Sequence, residues 1–535
     1  MGRLPELALV SRPERWGRVF GALLALIFLA GLWARLADLS AEGFADDEIH
    51  KWLAAGHYLQ GDFGGDDVEH PMLMKLLVTL CLVVGRPLGW APETITRLPC
   101  AVAGAFSVLA IAWLGRRLFG RIAGLVSAGV LAASTTFIGY NRVAKEDSLV
   151  ALFLLLALWC TAEAKAAADD GRARDQGRWE LATAVTAALL CASKYFGFLG
   201  LLPLVVYAWL RSTGTSWRLP GRRWAVLFGV AFVVFALFNW TPFLPSTWVY
   251  AQHYLKGGQT IHGGLYFAGR VYRASEIIDL AGVPPWFFAA FAWVKLAPPT
   301  VLAALGGLVL ALWQRAPAHR VVLAWIGVWV VWLCTLGGKF GRFFESLEPA
   351  LVLLAGYLVA SVAAWMGERT ARWAPAAAGV LGLLLVGTEA RAAVAHAPHY
   401  RLYISALGGG DARVTYWFPH CDYFDAGLRE AMQAIARGAE PGAVVSTEVD
   451  WPASYYASAF GRPDLKVTLF RPGQACPGDR PCYVVAQAGR WYFHNLEPLA
   501  RLDTQAPWHV ERIRGVDVVK VYRLPSGVDP FVPGR

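Results

Sequence analysis

The sequence predicts a polytopic, all-α membrane protein with a small α/β domain at its C-terminal end. Only 16% of the 535 residues are charged and 56% are hydrophobic, whereas a soluble protein carries about 25% charged residues. Apolar runs recur from residue 17 to about residue 392, and they have the length of about 20 residues that a helix needs to cross a bilayer. After residue 395 the composition changes to short apolar runs separated by Gly and Pro, which is typical of strands and turns.

The first apolar run, VFGALLALIFLAGLWARLADL, follows RPERWGR. It is longer than the core of a signal peptide and has no small-residue cleavage site after it, so we expect a retained first span. About eleven spans are predicted in total. They cover residues 17–36, 97–114, 122–140, 148–164, 179–193, 196–210, 224–240, 285–313, 321–336, 347–366 and 374–392.

The segment KLLVTLCLVVGR has only ten residues between Lys75 and Arg86, too few to cross the hydrocarbon core. We therefore predict a juxtamembrane helix on the outer surface. Five loops then face the cytoplasm with 15 Lys or Arg, against 8 in the loops between them. The positive-inside rule favours this arrangement, with a cytoplasmic N-terminus and an extracytoplasmic C-terminal domain.

Two domains follow from this reading. A transmembrane domain covers residues 1–394, with a first outer loop at about 37–96 and a long outer loop at about 241–284. An α/β domain covers residues 395–535, where DAGLREAMQAIARGA has an amphipathic helical pattern. The runs GAVVSTEV, LKVTLF, CYVVAQ and VDVVKVYRL are predicted as strands.

The net charge of +10 is explained by basic cytoplasmic loops, and no basic patch interleaved with aromatic residues indicates nucleic acid. None of the eight cysteines has metal-ligand spacing. Cys476 and Cys482 flank the turn-forming stretch PGDRP in a domain expected outside the cytoplasm, so we predict a disulfide. Two free thiols in a loop are the alternative.

The motif FADDEIHKW places Asp46, Asp47 and Glu48 directly after the first span, at the start of a predicted helix. The helix dipole stabilises negative charge there, and an ionised carboxylate can accept a proton from a hydroxyl nucleophile. The alternative is a helix cap with a solvated acidic loop.

Cations occur on the same predicted face. Lys75 follows EHPMLM, Arg142 opens RVAKEDS, Lys194 lies in SKYFG and Arg342 in KFGRFFESLEP. Arg and Lys at headgroup depth suit a lipid phosphate, although interfacial anchoring is the alternative for such residues.

The long outer loop contains HYLKGGQTIHGGLYFAGRVYR, whose glycines and aromatic residues suit a sugar-binding or lid segment. His262 in this loop has no metal-ligand spacing. We expect His70, Asp147 and His262 to contact substrate, and we expect no metal or other cofactor, although a divalent ion is compatible with the residues.

These motifs resemble a known family. The first outer loop of the protein O-mannosyltransferases, glycosyltransferase family 39, carries an Asp-Glu pair and a His-Pro-Pro-Leu-x-Lys motif, which correspond here to Asp47–Glu48 and to His70 through Lys75, with Met72 at the second proline. NRVAKEDSLVALFLLLAL and GRFFESLEPALVLLAG resemble later family segments. The chain is also similar to the lipid A aminoarabinose transferases.

The resemblance implies a C-fold membrane glycosyltransferase that takes its sugar from a polyprenyl phosphate in the outer leaflet. It implies Asp47 as general base, Glu48 as the residue that orients the acceptor or the juxtamembrane helix, and inversion at the anomeric carbon. Lys75, Arg142, Lys194 and Arg342 are expected at the donor phosphate. The acceptor would be a protein, lipid or glycan, in a membrane that we expect to be the bacterial plasma membrane.

Two other classes were weighed. A transporter or flippase of a lipid or glycan would place ionisable groups near the bilayer midplane and often shows internal repeats, which this sequence lacks. A sensor with an outer ligand-binding domain would tolerate loss of the Asp47 carboxylate.

Overall fold

The protein, described here by a computed structural model, is mostly helical; the structure describes residues 13–64, 70–202, 204–205, 221–255, 263–275 and 278–532. Its helices are α1 (Pro13–Leu36), α2 (Asp46–Leu59), α3 (Met72–Gly85), α4 (Pro92–Phe119), α5 (Arg121–Ala133), α6 (Thr135–Asn141), α7 (Asp147–Asp169), α8 (Ala173–Ser193), α9 (Gly221–Phe238), α10 (Pro245–Leu255), α11 (Phe287–Lys295), α12 (Pro298–Gln314), α13 (Pro317–Thr335), α14 (Glu348–Arg369), α15 (Ala374–His396), α16 (Val414–Trp417), α17 (Pro419–Tyr423), α18 (Leu428–Gly438), α19 (Asp450–Ala459) and α20 (Leu496–Leu502). Its strands are β1 (Leu265–Phe267), β2 (Arg270–Tyr272), β3 (Val444–Thr447), β4 (Lys466–Leu469), β5 (Cys482–Gln487), β6 (His509–Ile513) and β7 (Val516–Leu524).

Seven helices in the described part of the chain are long and apolar enough to span a membrane, and the bent pair α5–α6 would be an eighth. The seven are α1, α4, α7, α9, α13, α14 and α15. The protein is therefore an integral membrane protein. The expected eleven spans are not all present as long apolar helices, and the one predicted at 196–210 lies partly outside the described residues.

The single span predicted at residues 285–313 is wrong, because two shorter helices, α11 and α12, take its place. The break has a local cause. Pro298 and Pro299 have no N–H with which to continue α11, but they fit the first turn of a new helix. Lys295 at the end of α11 then donates to the backbone oxygens of Arg401 at 2.7 Å and Tyr403 at 3.0 Å.

The first outer loop returns to the face from which it starts. The Tyr456 hydroxyl accepts a hydrogen bond from the Phe44 N–H, just before α2, at 2.6 Å. The same hydroxyl donates to Glu93, at the start of α4, at 2.7 Å. Both ends of the segment that contains α3 therefore meet one side chain, and the 14-residue apolar helix α3 runs between two points at the same end of the bundle.

The C-terminal domain is built on a five-stranded sheet in the order β4-β3-β5-β7-β6. β3 pairs in parallel with β4 and β5, and β7 pairs antiparallel with β5 and β6. The four predicted strand runs correspond to β3, β4, β5 and β7, and the predicted amphipathic helix is α18. Sequence reasoning missed β6, HVERI, because its charged residues hide the short alternating pattern.

A buried arginine joins the first outer loop to the helical bundle. Arg97 of α4 contacts both carboxylate oxygens of Glu48, at 2.8 and 2.6 Å. It also donates to the backbone oxygens of Leu39, Glu42 and Gly43 at 3.0, 2.8 and 2.6 Å. The start of α2 is thereby fixed against α4.

The first prediction concerns this pair. Replacing Glu48 with Ala leaves the buried Arg97 guanidinium without its carboxylate, which we expect to lower the free energy of unfolding by about 3–5 kcal/mol. The matched control is Glu430→Ala, because Glu430 pairs with Arg429 at 2.7 Å but is partly exposed, and such pairs contribute about 1 kcal/mol or less. Thermal unfolding in detergent measures both, and equal midpoints for the two variants would contradict the anchoring role.

The second prediction concerns the disulfide. Cys476 and Cys482 are bonded in the structure, with Cα atoms 5.7 Å apart, whereas the other six cysteines are free thiols. Thiol labelling of unreduced, denatured protein should therefore modify six cysteines and spare these two. Labelling of Cys476 and Cys482 without a reductant would refute the bond.

Candidate active site

Asp47 lies in the first turn of α2, at the end of the bundle that the C-terminal domain covers. The Glu48 side chain turns back to accept from the Ala45 N–H at 3.0 Å and from the Ala144 N–H at 2.8 Å. These bonds tie the helix start to the segment between α6 and α7. The Asp47 carboxylate is left free to point away from them, and a third of its side chain is exposed.

Two cations flank the Asp47 carboxylate. Its Oδ2 atom lies 3.2 Å from Lys145 Nζ and 3.3 Å from Arg342 Nη1. Burial alone raises the pKa of Asp47, but the charges of Lys145 and Arg342 outweigh burial and hold the pKa well below its usual range. Asp47 is thus an anion at any physiological pH.

A second pair of contacts supports Lys145. Its ammonium lies 3.5 Å from His70 Nε2 and 3.9 Å from Glu146 Oε2. Glu146 in turn pairs with Lys51 of α2 at 2.7 Å, and both of these side chains are fully buried. Lys51 lies one helical turn after Asp47, so α2 contributes both a carboxylate and an ammonium group to the same network.

The third part of the network consists of the contacts of Asp147, at the start of α7. Both Asp147 oxygens accept from Lys194 Nζ at 2.8 Å, and Arg342 Nε lies 3.9 Å from Asp147 Oδ2. Arg342 therefore stands between Asp47 and Asp147. The guanidinium also lies over the ring of Phe340, 4.3 Å from its centroid.

Counted as charges, the network holds more cations than anions. Lys51, Lys145, Lys194 and Arg342 face Asp47, Glu146 and Asp147. Fixed positive charge in excess at a buried site favours an anionic ligand, and a group with several oxygens can contact Lys145 and Arg342 together. No cluster of His, Cys, Asp or Glu within the described ranges could hold a metal ion.

A small cleft lies beside Arg342. Its walls come from three parts of the chain: the end of α6 with the segment that follows it, the turn before α14, and the C-terminal domain. The lining residues are Tyr140, Val143, Lys145, Phe340, Gly341, Arg342, Cys421 and Phe424. The two cations that hold Asp47 are thus also walls of the cleft.

The structure brings most of the residues predicted from sequence into this region, but not Arg142. The Arg142 guanidinium donates to the backbone oxygens of Arg35 at 3.0 Å, Ala37 at 2.6 Å and Asp38 at 2.6 Å. It satisfies carbonyl groups at the end of α1 that have no helical partner, and it is therefore committed away from Asp47. Lys145, three residues later, occupies the position that had been expected for Arg142.

The other predicted residues take different positions. Glu48 is buried and paired with Arg97, so it supports Asp47 from behind. Lys75 is buried and donates to the His70 oxygen at 3.0 Å, which holds the turn before α3. His262 lies outside the described residues.

Four contributors were missed from the sequence. One is Lys51, which nothing in the linear pattern of α2 distinguishes from a solvated lysine. Nor does the pattern show which of Arg142, Lys145 and Glu146 faces the site, because the helix breaks between α6 and α7. Phe424 was missed because the sequence gives no sign that the C-terminal domain reaches the cleft.

The chain is similar to known proteins in part of its sequence and in its fold. Residues 69–251 match the family described as dolichyl-phosphate-mannose-protein mannosyltransferase. No curated protein sequence matches the chain significantly.

Three solved structures share the fold over most of the chain. ArnT from Cupriavidus metallidurans in the apo state has a TM-score of 0.54 at 12% identity, covering 98% of this chain and 99% of that one. The same protein bound to undecaprenyl phosphate has a TM-score of 0.51 at 13% identity, covering 95% and 98%. The oligosaccharyltransferase AglB from Archaeoglobus fulgidus, in complex with an inhibitory peptide and a dolichol-phosphate, has a TM-score of 0.55 at 11% identity, covering 88% and 69%.

The fold class expected from the sequence is therefore confirmed. Residues 69–251 thus resemble the mannosyltransferase family, and the chain shares its fold with ArnT and with the oligosaccharyltransferase AglB.

Proposed function

We propose that this protein is a C-fold membrane glycosyltransferase that transfers a sugar from a polyprenyl-phosphate donor to an acceptor hydroxyl on the extracytoplasmic face, with inversion and with Asp47 as general base. The observation that carries the proposal is the Asp47 carboxylate held by Lys145 and Arg342, two cations that also line a cleft. The group proposed to accept the proton is therefore in direct contact with the two cations proposed to bind the phosphate.

The reaction needs both kinds of group. The acceptor oxygen attacks the anomeric carbon from the face opposite the phosphate, and the bond between that carbon and the phosphate oxygen breaks. The bonding electrons leave with the polyprenyl phosphate, whose charge becomes more negative, and the hydroxyl proton passes to Asp47. Lys145 and Arg342 stabilise the charge that develops on the leaving group, which lowers the barrier.

Donor binding would also tune the base. Asp47 with two cation partners is a weak base, because its pKa lies well below the usual range. A donor phosphate that takes contacts from Lys145 and Arg342 removes part of this stabilisation, so the pKa of Asp47 rises when the donor is bound. A general base works best when its pKa approaches the ambient pH.

The donor class is supported by two of the similar structures, which contain undecaprenyl phosphate and a dolichol-phosphate. Lys194 assists phosphate binding indirectly. It neutralises Asp147, so that Arg342 can turn toward a ligand. His70 and Asp147 are proposed to line the substrate side of the site. The acceptor is a protein, a lipid or a glycan.

The face is proposed from charge and chemistry. The predicted loop charges place the N-terminus in the cytoplasm, and α2, α4 and the C-terminal domain meet at one end of the bundle through Tyr456. The Cys476–Cys482 disulfide lies in that domain, and disulfides persist in oxidising compartments. A bacterial plasma membrane with the site on its outer side satisfies all three.

The third prediction tests the base. Asp47→Asn should abolish transfer, because an amide cannot accept the proton, while the protein still inserts and folds. Mass spectrometry of outer-surface glycoconjugates from cells with wild-type, variant or no gene measures this.

Asp46→Asn is the matched control for the base. Burial, with Asp425 nearby, raises the pKa of Asp46 to about 6 despite the opposing charge of Arg490. Asp46 thus faces the C-terminal domain rather than Lys145 and Arg342, and Asp46→Asn should retain transfer. Loss of transfer in Asp46→Asn with normal transfer in Asp47→Asn would move the base by one residue.

The fourth prediction tests the face. A reporter active only outside the cytoplasm should be active when fused after residue 400 and silent when fused after Arg117, which lies at the end of α4 distant from Glu93. The reverse pattern would place the site in the cytoplasm and exclude an outer-leaflet donor.

A further inference from the structure

The C-terminal domain contributes a turn, residues 423–427, to the Asp47 cleft. Phe424 in this turn is buried in a small apolar cluster with Ala45 and Val143. Ala45 precedes the acids of α2, and Val143 lies two residues before Lys145. The Phe424 ring also lies 5.8 Å from the Arg342 guanidinium carbon. Phe424 thus packs against the residue before α2, against the segment that carries Lys145, and beside Arg342.

Asp425, the next residue, holds α2 directly. Its Oδ2 accepts from the Asp46 N–H at 3.0 Å, a group at the helix start that has no partner within the helix. Its Oδ1 accepts from Arg490 Nε at 2.7 Å and from Gln487 Nε2 at 2.9 Å. Asp425 and Arg490 are both almost completely buried. The carboxylate therefore links the sheet of the C-terminal domain to the residue beside Asp47.

The backbone of the turn shows that this placement is enforced. Phe424 and Asp425 both have positive φ angles, 43° and 66°, in the left-handed region that residues with a Cβ atom rarely adopt. Asp tolerates this region better than Phe does. Such a conformation persists where the surroundings over-determine it, and it is concentrated at functional sites.

We propose that Phe424 and Asp425 are positioning residues of the active site: Asp425 fixes the first turn of α2, and Phe424 fixes the spacing between Asp47 and the cations Lys145 and Arg342. The proposal rests on the proposed function, since it assigns these cations to the donor phosphate. The C-terminal domain is then part of the donor-binding site.

A purely structural docking role is distinguishable, because the same domain has another anchor on the first outer loop. Arg429 donates to the backbone oxygens of Ser40 and Ala41, both at 2.8 Å, and these residues lie before Phe44, away from the cleft. Arg429 also lies 3.7 Å from Glu93. Arg429→Ala therefore loosens docking while leaving the contacts of Phe424 and Asp425 intact, and it is the matched control.

The test uses full-length wild-type protein and the variants Asp425→Asn, Phe424→Ala and Arg429→Ala in detergent, with undecaprenyl phosphate as the probe. Three quantities are measured: the affinity for the probe, amide hydrogen exchange in residues 44–52, and the thermal midpoint. Asn offers one acceptor oxygen where Asp offers two, so its NH2 group must face either the Arg490 and Gln487 donors or the Asp46 N–H. Asp425→Asn should therefore speed exchange in residues 44–52 by about 10-fold. Phe424→Ala and Asp425→Asn, the two cleft variants, should each weaken probe binding by about 10-fold, equivalent to about 1.4 kcal/mol. Arg429→Ala should change neither the affinity for the probe nor the exchange in residues 44–52.

The outcomes separate the two hypotheses. If wild-type protein binds the probe and both cleft variants bind it as tightly as Arg429→Ala, the positioning role is overturned. If wild-type protein does not bind the probe but Asp425→Asn alone speeds exchange in residues 44–52, the donor class is wrong and the hold of Asp425 on α2 stands. If Asp425→Asn does not fold, Phe424→Ala decides, because it leaves the Asp425–Arg490 pair intact and unchanged affinity in it would refute the proposal.

Discussion

The site depends on the way in which one buried guanidinium, that of Arg97, satisfies the polar groups of the first outer loop. The loop leaves α1 and turns into α2 with several backbone oxygens facing the protein interior, and Arg97 donates to three of them and to Glu48. Unsatisfied buried polar groups are costly, so the loop has one favourable path. That path ends at Asp47, whose carboxylate reaches Lys145 and Arg342 only because Glu48 takes the opposite direction into the core.

Most of the fold was accessible from the sequence because its signals are local. Long apolar runs predict spans, and short runs between glycines and prolines predicted four of the five strands in the C-terminal sheet. The failure at residues 285–313 is also local in origin, since Pro298 and Pro299 lie inside a run whose hydrophobicity alone suggests one helix. Hydrophobicity reports burial in lipid or protein alike, and it does not reveal where a helix must restart.

The site was less accessible, because it depends on the direction of side chains around breaks in helices. Asp47 and Arg342, which the sequence places on the same predicted face, lie 3.3 Å apart in the structure. Arg142 and Lys145 are three residues apart in a segment that is not continuous helix, and only the packed structure shows that Arg142 serves the end of α1. Asp425 was beyond sequence reasoning altogether, since a single acid in a soluble domain carries no sign of a partner 379 positions away.

That separation has a consequence for biosynthesis. Asp47 belongs to the first tenth of the chain, and the groups that complete its surroundings, Phe424 and Asp425, belong to the last quarter. While the polypeptide is being synthesised, the acid and its cations are made in order, but one wall of the cleft is missing until the final domain has been made and folded. A chain interrupted after α15 would thus carry the helices of the bundle and still lack the wall of the cleft that Phe424 supplies.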